Sequence, residues 1–591
     1  MRVENLSLLV AGDTWDIPVN WEWVNISQVS AIISGGTPST KIEHYYNGNI
    51  PWITPADMSN HRDVYISRGR RNITQEGLDN SSAQILPRGT VLFSSRAPIG
   101  YVAIAANEVA TNQGFKSFIP EKGISSKYLY YWLMFAKPFA DKLASGTTFL
   151  EISSSKCALL PFPLSPEKEQ SRIVDKLEEL FSELDAGVKE LKAAQTKLSQ
   201  YRQSLLKSAV EGSLTQQWRA ENSDRVQETG EQLLARILKQ RREQWQQQKL
   251  AEFAEKGKTP SKNWQDAYPE PVQPDTTDLP ELPEGWVWAS VDQLALNKRY
   301  GSSSKTNDDS AGVPVLRMGN IQDGKLDYSN LKYLPVDHKE FPDLLLNDGD
   351  LLFNRTNSAE LVGKSAVYRD IGKPVSYASY LISVTFTEHF LPEIAAHYIN
   401  SILGKKWLAE VMNQTAGQAN VNGTKLGELA IPLPPFAEQL ALIQGITNEL
   451  DSIDRQIEAT ALGLKQSEAQ RKNILKSAFS GQLVPQDPND EPASVLLEKI
   501  KQEREALAKK PKTKQIKTKS AMKKITVEEL TKWVSDYEGN SFTFGELQKT
   551  FQGDYDQLKD CVFEILSAKE PILKQVFDQK LSAITFIKED K

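Results

Sequence analysis

The chain carries its own frame twice. Trp21-Glu22-Trp23, within Ile17-Pro18-Val19-Asn20-Trp21-Glu22-Trp23, returns as Trp286-Val287-Trp288 within Leu282-Pro283-Glu284-Gly285-Trp286-Val287-Trp288. Well downstream of each, Pro161-Phe162-Pro163-Leu164-Ser165-Pro166 with Glu169-Gln170 matches Ile431-Pro432-Leu433-Pro434-Pro435 with Glu438-Gln439. Then Leu205-Leu206-Lys207-Ser208-Ala209-Val210-Glu211-Gly212 matches Ile474-Leu475-Lys476-Ser477-Ala478-Phe479-Ser480-Gly481. Between these anchors the residues differ. A kept frame with changed contents presents two different surfaces in two equivalent positions, which suits the reading of a two-part linear target.

At 591 residues the chain exceeds one core, and about four domains is the expectation. The organisation reads as an N-terminal segment 1–16, a variable domain 17–164, a long helix 165–212, and a charged linker with one helix, 213–281. A second variable domain 282–432, a second long helix 433–483, a Lys-rich linker 484–525 and a small helical unit 526–591 follow. No apolar run approaches the roughly 18 residues of a membrane helix. Met1-Arg2-Val3-Glu4-Asn5 lacks the start of a signal peptide. Cys157 and Cys561 lie in different segments and read as buried free thiols, which suggests a reducing cytoplasm. The net charge of −6 argues against a chain coated in basic charge. Residues 17–160 hold 13 Lys and Arg against 10 Asp and Glu, and residues 282–435 hold 14 against 17. Any affinity for DNA is therefore expected to depend on partners.

Each variable domain reads as mixed α/β. Short strand-like runs such as Thr90-Val91-Leu92-Phe93, Tyr101–Ala105 and Gly349–Phe353 alternate with Gly, Pro, Asn and Ser turns. Lys127–Phe135 and Ile394–Ile399 read as helices. In the first long helix Leu177, Leu184, Leu191, Leu198 and Leu205 recur every seventh residue, with Ile173, Leu180, Ala194 and Tyr201 in the intervening row. Ile446, Leu450, Ile453, Ile457 and Leu464 form the matching seam of the second. About forty residues at ~1.5 Å each make a rod of roughly 60 Å, which needs a partner helix, and its own repeat is the nearest one. Leu496–Arg504 repeats the pattern of the linker helix Leu233–Arg242. Residues 526–591 read as three helices (527–537, 543–551, 555–568) and two strands (572–577, 583–587), a winged-helix order. The third helix is acidic, with Asp554, Asp556, Asp560 and Glu564, which favours docking on a protein over entry into a DNA groove.

No catalytic signature is present. The Asn/Asp-Pro-Pro-aromatic motif of adenine methyltransferases is missing, and Leu361-Val362-Gly363-Lys364-Ser365 lacks the first glycine of a phosphate loop, where Ser358 stands. His44, His61, His338, His389 and His397 have no metal-ligand spacing. No catalytic or metal site is therefore assigned. Nucleic-acid contacts are expected from loops of both variable domains. Arg and Lys suit guanine: Lys41, Arg96, Lys116, Arg299, Lys305, Arg317 and Arg355. Asn and Gln suit adenine: Asn112, Gln113, Asn320, Asn354, Asn357, Gln418, Asn420 and Asn422. Hydroxyls suit phosphate: Thr37, Ser39, Thr40, Ser95 and Thr147. The competing reading is that these loops are ordinary turns.

Two variable domains, each closed by a Pro-rich strand with Glu-Gln and followed by a long helix ending in Leu-Lys-Ser-Ala-x-x-Gly, resemble the specificity subunit of type I restriction–modification enzymes. Gly35-Gly36-Thr37-Pro38-Ser39-Thr40, Ile50-Pro51-Trp52-Ile53-Thr54 and Thr111-Asn112-Gln113-Gly114 are similar to target recognition domains of that family. The resemblance covers residues 17–505. It implies an α/β (α+β) fold: two mixed α/β target recognition domains joined by two long helices in an antiparallel, pseudo-two-fold coiled coil. Each domain would read one half of a bipartite double-stranded DNA site, the helices setting the spacing. Two modification subunits would methylate adenine with S-adenosylmethionine, and two motor-nuclease subunits would use ATP and Mg. The chain itself would bind no cofactor and no membrane, and would be a non-catalytic cytoplasmic reader. The alternatives are a fused restriction enzyme or nuclease, which needs motifs not found, and a coiled-coil scaffold, which needs no pair of dissimilar domains. The unit 526–591 lies outside the family pattern.

Overall fold

A computed structural model of the chain describes residues 15–146, 150–415, 417–509, 525–551, 555–568, 570–578 and 583–588. It divides into two units, Met1–Val188 with Lys465–Lys591, and Lys189–Leu464. The Lys-rich stretch 510–524 lies outside the described residues.

In the first unit the Trp motif and the Pro-rich anchor are two strands of one ribbon. Glu22–Asn25 pairs antiparallel with Pro161–Leu164, Trp23 opposite Pro163. A five-stranded sheet runs Ser30–Ser34, Phe115–Pro120, Val91–Ser94, Val102–Ala105, Tyr65–Ile66. Val91–Ser94 is buried at every residue, as expected of an apolar run covered on both faces. Beside it lies a three-stranded sheet, Arg71–Ile73, Tyr46–Ile53, Ala110–Thr111. Helix Ser126–Phe135 starts at Ser125, whose hydroxyl accepts from the Tyr128 N–H, and buries Tyr128 through Leu133. Its aromatic side receives Phe479 from the end of the second long helix, 5.0 Å from the Trp132 ring.

The second unit follows the same plan. Val287–Ser290 pairs antiparallel with Ala430–Leu433. A four-stranded sheet runs Ala295–Tyr300, Leu381–Phe386, Leu351–Asn354, Ser365–Val367, beside Lys332–Leu334, Val313–Leu316, Ser376–Tyr377. Helix Pro392–Asn400 takes the place of Ser126–Phe135.

The Glu-Gln pair of the repeat is a structural clasp. Trp21 Nε1 donates to Glu169 Oε2 at 2.9 Å, and Trp286 Nε1 donates to Glu438 Oε2 at 2.8 Å. Gln170 Oε1 accepts from the Ser125 N–H, while its amide donates to the Gly123 and Ser165 carbonyls. Gln439 Oε1 accepts from the Leu391 N–H, and its amide donates to the His389 and Pro434 carbonyls. All four side chains are buried, so each polar atom needs such a partner.

The long helices are Glu167–Val210 and Phe436–Phe479, each 44 residues. They run antiparallel within each unit. In the first, Arg471 pairs with Asp185 and lies 4.4 Å over the Phe181 ring. In the second, Tyr201 donates to Glu449 at 3.2 Å, Arg202 pairs with Asp454, and Leu191 lies against Gly463. Leu177 and Leu205 are buried, while Leu184, Leu191 and Leu198 are half-buried, because only the partner helix covers them. Ile446 and Ile453 are buried, and Leu450, Ile457 and Leu464 are half-buried. Tyr201, expected inside the seam, is 51% exposed. Both helices stop at a glycine with positive φ, Gly212 at 68° and Gly481 at 71°. A Cβ on Gly212 would meet Pro283 Cγ at 2.4 Å, and one on Gly481 would meet Pro18 Cγ at 2.2 Å.

The segments read as linkers are packed. Helix Gly230–Glu255 buries Leu233 and Ile237 in the core of the second unit. Its first N–H donates to the Gly285 carbonyl, and Arg241 donates to the Asp292 carbonyl. Helix Ala493–Lys509 buries Leu496, Leu497 and Ile500 in the first unit. Its first N–H donates to the Asn20 carbonyl, and Arg504 donates to the Ser27 carbonyl. Each domain is thus finished by a helix that follows the long helix leaving the other domain. The small C-terminal unit has helices Val527–Asp536, Phe544–Thr550 and Tyr555–Leu566. Its sheet has three strands, in the order Ser541–Thr543, Ala583–Lys588, Leu573–Asp578. The first of these was not foreseen.

Candidate nucleic-acid interface

A three-part arrangement recurs at one end of the main sheet in both domains. In the second, strand Leu351–Asn354 runs out through Arg355 into Thr356–Asn357, which pairs with hairpin strand Gln418–Asn420. That hairpin, with Asn413–Thr415, leads to helix Gly423–Glu428, capped by Asn422, whose Oδ1 accepts from the Lys425 N–H at 2.8 Å. The Val421 N–H donates to the Arg355 carbonyl. In the first, strand Val91–Ser94 runs out through Ser95 to Arg96, which bridges Glu151, and Glu151 bridges Ser145 across the hairpin. Helix Ser154–Ala158 follows, capped by Ser153, and the Ile152 N–H donates to the Ser95 carbonyl. The backbone is repeated; the side chains are not.

In the second domain this brings together Arg355, Asn357, Gln418, Asn420 and Asn422. Arg355 lies 5.0 Å over the ring of exposed Tyr300, and its guanidinium donates to Asn420 Oδ1 and the Ser379 carbonyl. Asn420 also donates to Thr356 at 2.6 Å, and the Tyr300 hydroxyl accepts from the Gly423 N–H at 2.7 Å. Gln418 and Asn422 are exposed, and Asn357 Oδ1 accepts from Ser358. An arginine stacked on a tyrosine beside amides is a surface that can pair with base edges and stack.

Other expected residues are held within the fold. Arg299 donates to the Asp343 and Leu345 carbonyls and pairs with buried Asp350 at 3.4 Å. Beside it, burial pushes the Tyr377 phenol up to about 12, against the lowering effect of Arg299. Asn320 is buried, accepting from the Arg317 N–H and donating to the Asp327 and Asn330 carbonyls. Arg317 donates to the Asn330 carbonyl at 3.0 Å. Asn354 is buried and donates to the Leu361 carbonyl. Lys305 is exposed.

In the first domain Arg96 is 3.7 Å from Glu151, and Lys156 donates to Ser145. Ser95 is fully buried beside them. Thr37 donates to Gln113, and Asn112 Oδ1 accepts from the Gly114 N–H, so these two loops pack on each other. Ser39, Thr40 and Lys41 are exposed. Lys116 is 1% exposed and donates to Ser34, which removes it from any surface. Thr147 lies outside the described residues. Glu151, Ser155 and Lys156 belong to the arrangement yet lie outside the loops expected to touch nucleic acid, whereas Tyr300 lies in the expected loop Arg299–Lys305. Aligning the Ser153 and Asn422 caps back from the Pro-rich anchors would have found the first three.

Among the described residues no group of His, Cys, Asp and Glu is set to hold a metal ion, and no helix is long and apolar enough to cross a membrane. Cys157 and Cys561 are both buried, and neither forms a disulfide.

The sequence matches the family described as Type I restriction modification DNA specificity domain, over residues 18–193 and 283–467. It is 47% identical over 163 residues to the Type I restriction enzyme MjaIX specificity subunit of Methanocaldococcus jannaschii, 27% of this chain and 37% of that one. Identity to the Type I restriction enzyme EcoKI specificity subunit of Escherichia coli K12 is 24%, across 83% of this chain and 97% of that one. A chain solved in work on complex assembly and conformational transition of the type I R-M system superposes with a TM-score of 0.56 at 15% identity. It covers 79% of this chain and 100% of its own length, a likeness of fold.

Proposed function

Because the chain belongs to the type I restriction–modification DNA specificity family, in which it is the non-catalytic recognition subunit, we propose how it divides that task. Each domain reads one half of a bipartite duplex site with its strand end, hairpin and capped helix. The observation that carries this is the recurrence of one backbone arrangement with different side chains: Arg96, Glu151 and Lys156 in one copy, Tyr300, Arg355 and Asn420 in the other. The two long helices form a coiled coil that fixes the spacing of the half-sites. At ~1.5 Å per residue each is about 66 Å long.

The helices also dock two modification subunits, which bring S-adenosylmethionine and methylate adenine, and two motor-nuclease subunits bring ATP and Mg. Those partners supply most of the positive charge around the DNA, which fits the near balance of charge in both domains. The assembly works in the cytoplasm, where buried thiols outside any disulfide, such as Cys157, stay reduced. The C-terminal unit, with its helix–strand–helix–helix–strand–strand order, is a winged-helix module appended to the reader.

The test is an exchange of residues 17–160 for the first domain of another family member, read by mapping methylated adenines in cells that carry the modification partner. One half of the motif should change and the other persist. A change in both halves, or loss of the second, would refute the division.

A further inference from the structure

We propose that the C-terminal unit is a cover for the first domain's strand-end site, so that this unit and duplex DNA compete for one surface; the inference rests on the reading of that site given above. Two contacts carry it, both from helix Tyr555–Leu566. Lys559 Nζ lies 2.5 Å from Glu151 Oε2, with the two side chains 12% and 9% exposed. One residue on, Asp560 Oδ2 accepts from Ser155 Oγ at 2.9 Å. Glu151 is the hairpin residue that bridges Arg96, and Ser155 lies in the helix that completes the site. The contacts therefore fall on two of the three parts of the arrangement and engage the partner of the third.

The charge pattern fits a competitor of DNA. Residues 525–591 hold thirteen Asp and Glu against eight Lys, with no Arg. A unit of that charge repels phosphate while it sits on the site. Lys559 is a cation in this acidic unit, and it meets Glu151, the carboxylate of the site. Glu151 is the residue that would itself repel phosphate, yet a carboxylate can accept from a cytosine amino group. Lys559 occupies that acceptor, and its departure leaves Glu151 with Arg96 alone, 3.7 Å away. The second domain has Asn420 in the corresponding place, engaged with Arg355 and Thr356 of its own domain. A cation such as Lys559 would find no charge partner there.

Binding of a labelled duplex bearing the mapped methylated motif, measured with the full chain assembled with its modification subunits, tests this. Lys559→Glu sets two carboxylates against each other and should tighten binding roughly fivefold or more, the scale of a partly buried ion pair. Deletion of 511–591 should tighten it at least as much and leave the methylated motif unchanged. Arg96→Ala separates the two levels of inference. If Arg96→Ala weakens binding while neither Lys559→Glu nor the deletion changes it, the cover is refuted and the reading of the site stands. If Arg96→Ala has no effect, the site itself is misplaced and the cover falls with it. A deletion that weakens binding would make the unit part of the DNA clamp and would also overturn the proposal.

Discussion

Glu169 and Glu438 hold the same indole in the same register, yet their charges are met differently. Glu438 accepts from Trp286, from Thr215 at 2.7 Å, and from Arg219 through Nε at 3.0 Å and Nη2 at 2.8 Å. Glu169 accepts from Trp21 and, at 2.5 Å, from the neutral amide of Gln486. Burial pushes the Glu169 carboxyl above its ordinary range, even though these hydrogen bonds and Arg172 pull it down. A repeated geometry therefore does not imply repeated energetics. The clasp of the second domain is a charge pair; that of the first is a buried carboxylate met by neutral donors.

The largest expected effect separates the two clasps. Glu438→Gln leaves Arg219 without its anion in a mostly buried site and should destabilise the second unit by about 3 kcal/mol. Glu169→Gln should cost under about 1 kcal/mol at pH 7, because its raised pKa means ionised Glu169 opposes folding. Hydrogen-exchange protection of the two units in each variant is the measurement. Equal losses would break the comparison.

A second contrast is in acid. Burial and then Arg202 lower the His397 imidazole to about 4, where it lines a cavity of about 350 Å³. Its folded pKa lies below its unfolded one of ~6.5, so its contribution is intact above that pH and is lost as pH falls toward 4. The loss should reach about 2–3 kcal/mol near pH 4. The counterpart helix Ser126–Phe135 has no histidine. Unfolding titrations should show this slope in the second unit and its disappearance in His397→Gln. A slope that survives the substitution would assign it elsewhere.

The smallest effect sharpens the likeness. Arg241→Ala and Arg504→Ala remove equivalent bonds to main-chain carbonyls and should each cost about 1–2 kcal/mol. Melting of the two units should fall by similar amounts. A difference greater than about 1 kcal/mol would mean that Glu121, which pairs with Arg504 at 2.7 Å, carries more of the first contact.

The frame was legible because its anchors are local words: Trp-x-Trp, the Pro-rich strand, Glu-Gln, and the glycine after each long helix. What these words do was less legible. Glu169 meets Trp21 across 148 positions, and no local pattern announces a buried indole donor. The helices at 230–255 and 493–509 read as charged linker because each buries only a narrow apolar stripe. Ser541–Thr543 was missed because three residues carry no period. For the interface, loops were found but not the state of their side chains. Arg299 and Lys116 had the right chemistry, yet Asp350 and Ser34 claim them from 51 and 82 positions away. Arg355 stays with the candidate interface, half-buried and stacked on the exposed ring of Tyr300.

The crossed closure of the two domains has a consequence in time. When the second domain emerges from the ribosome, its closing helix at 230–255 has already been made. The first domain ends at Leu164 and waits for Ala493, roughly 330 residues later, which at ~5–20 residues per second is about 15–65 s. Throughout that interval the face later covered by Leu496, Leu497 and Ile500 stays open to water and to neighbouring nascent chains. The amino-terminal half of this protein is thus the half whose yield tracks translation speed and chaperone supply.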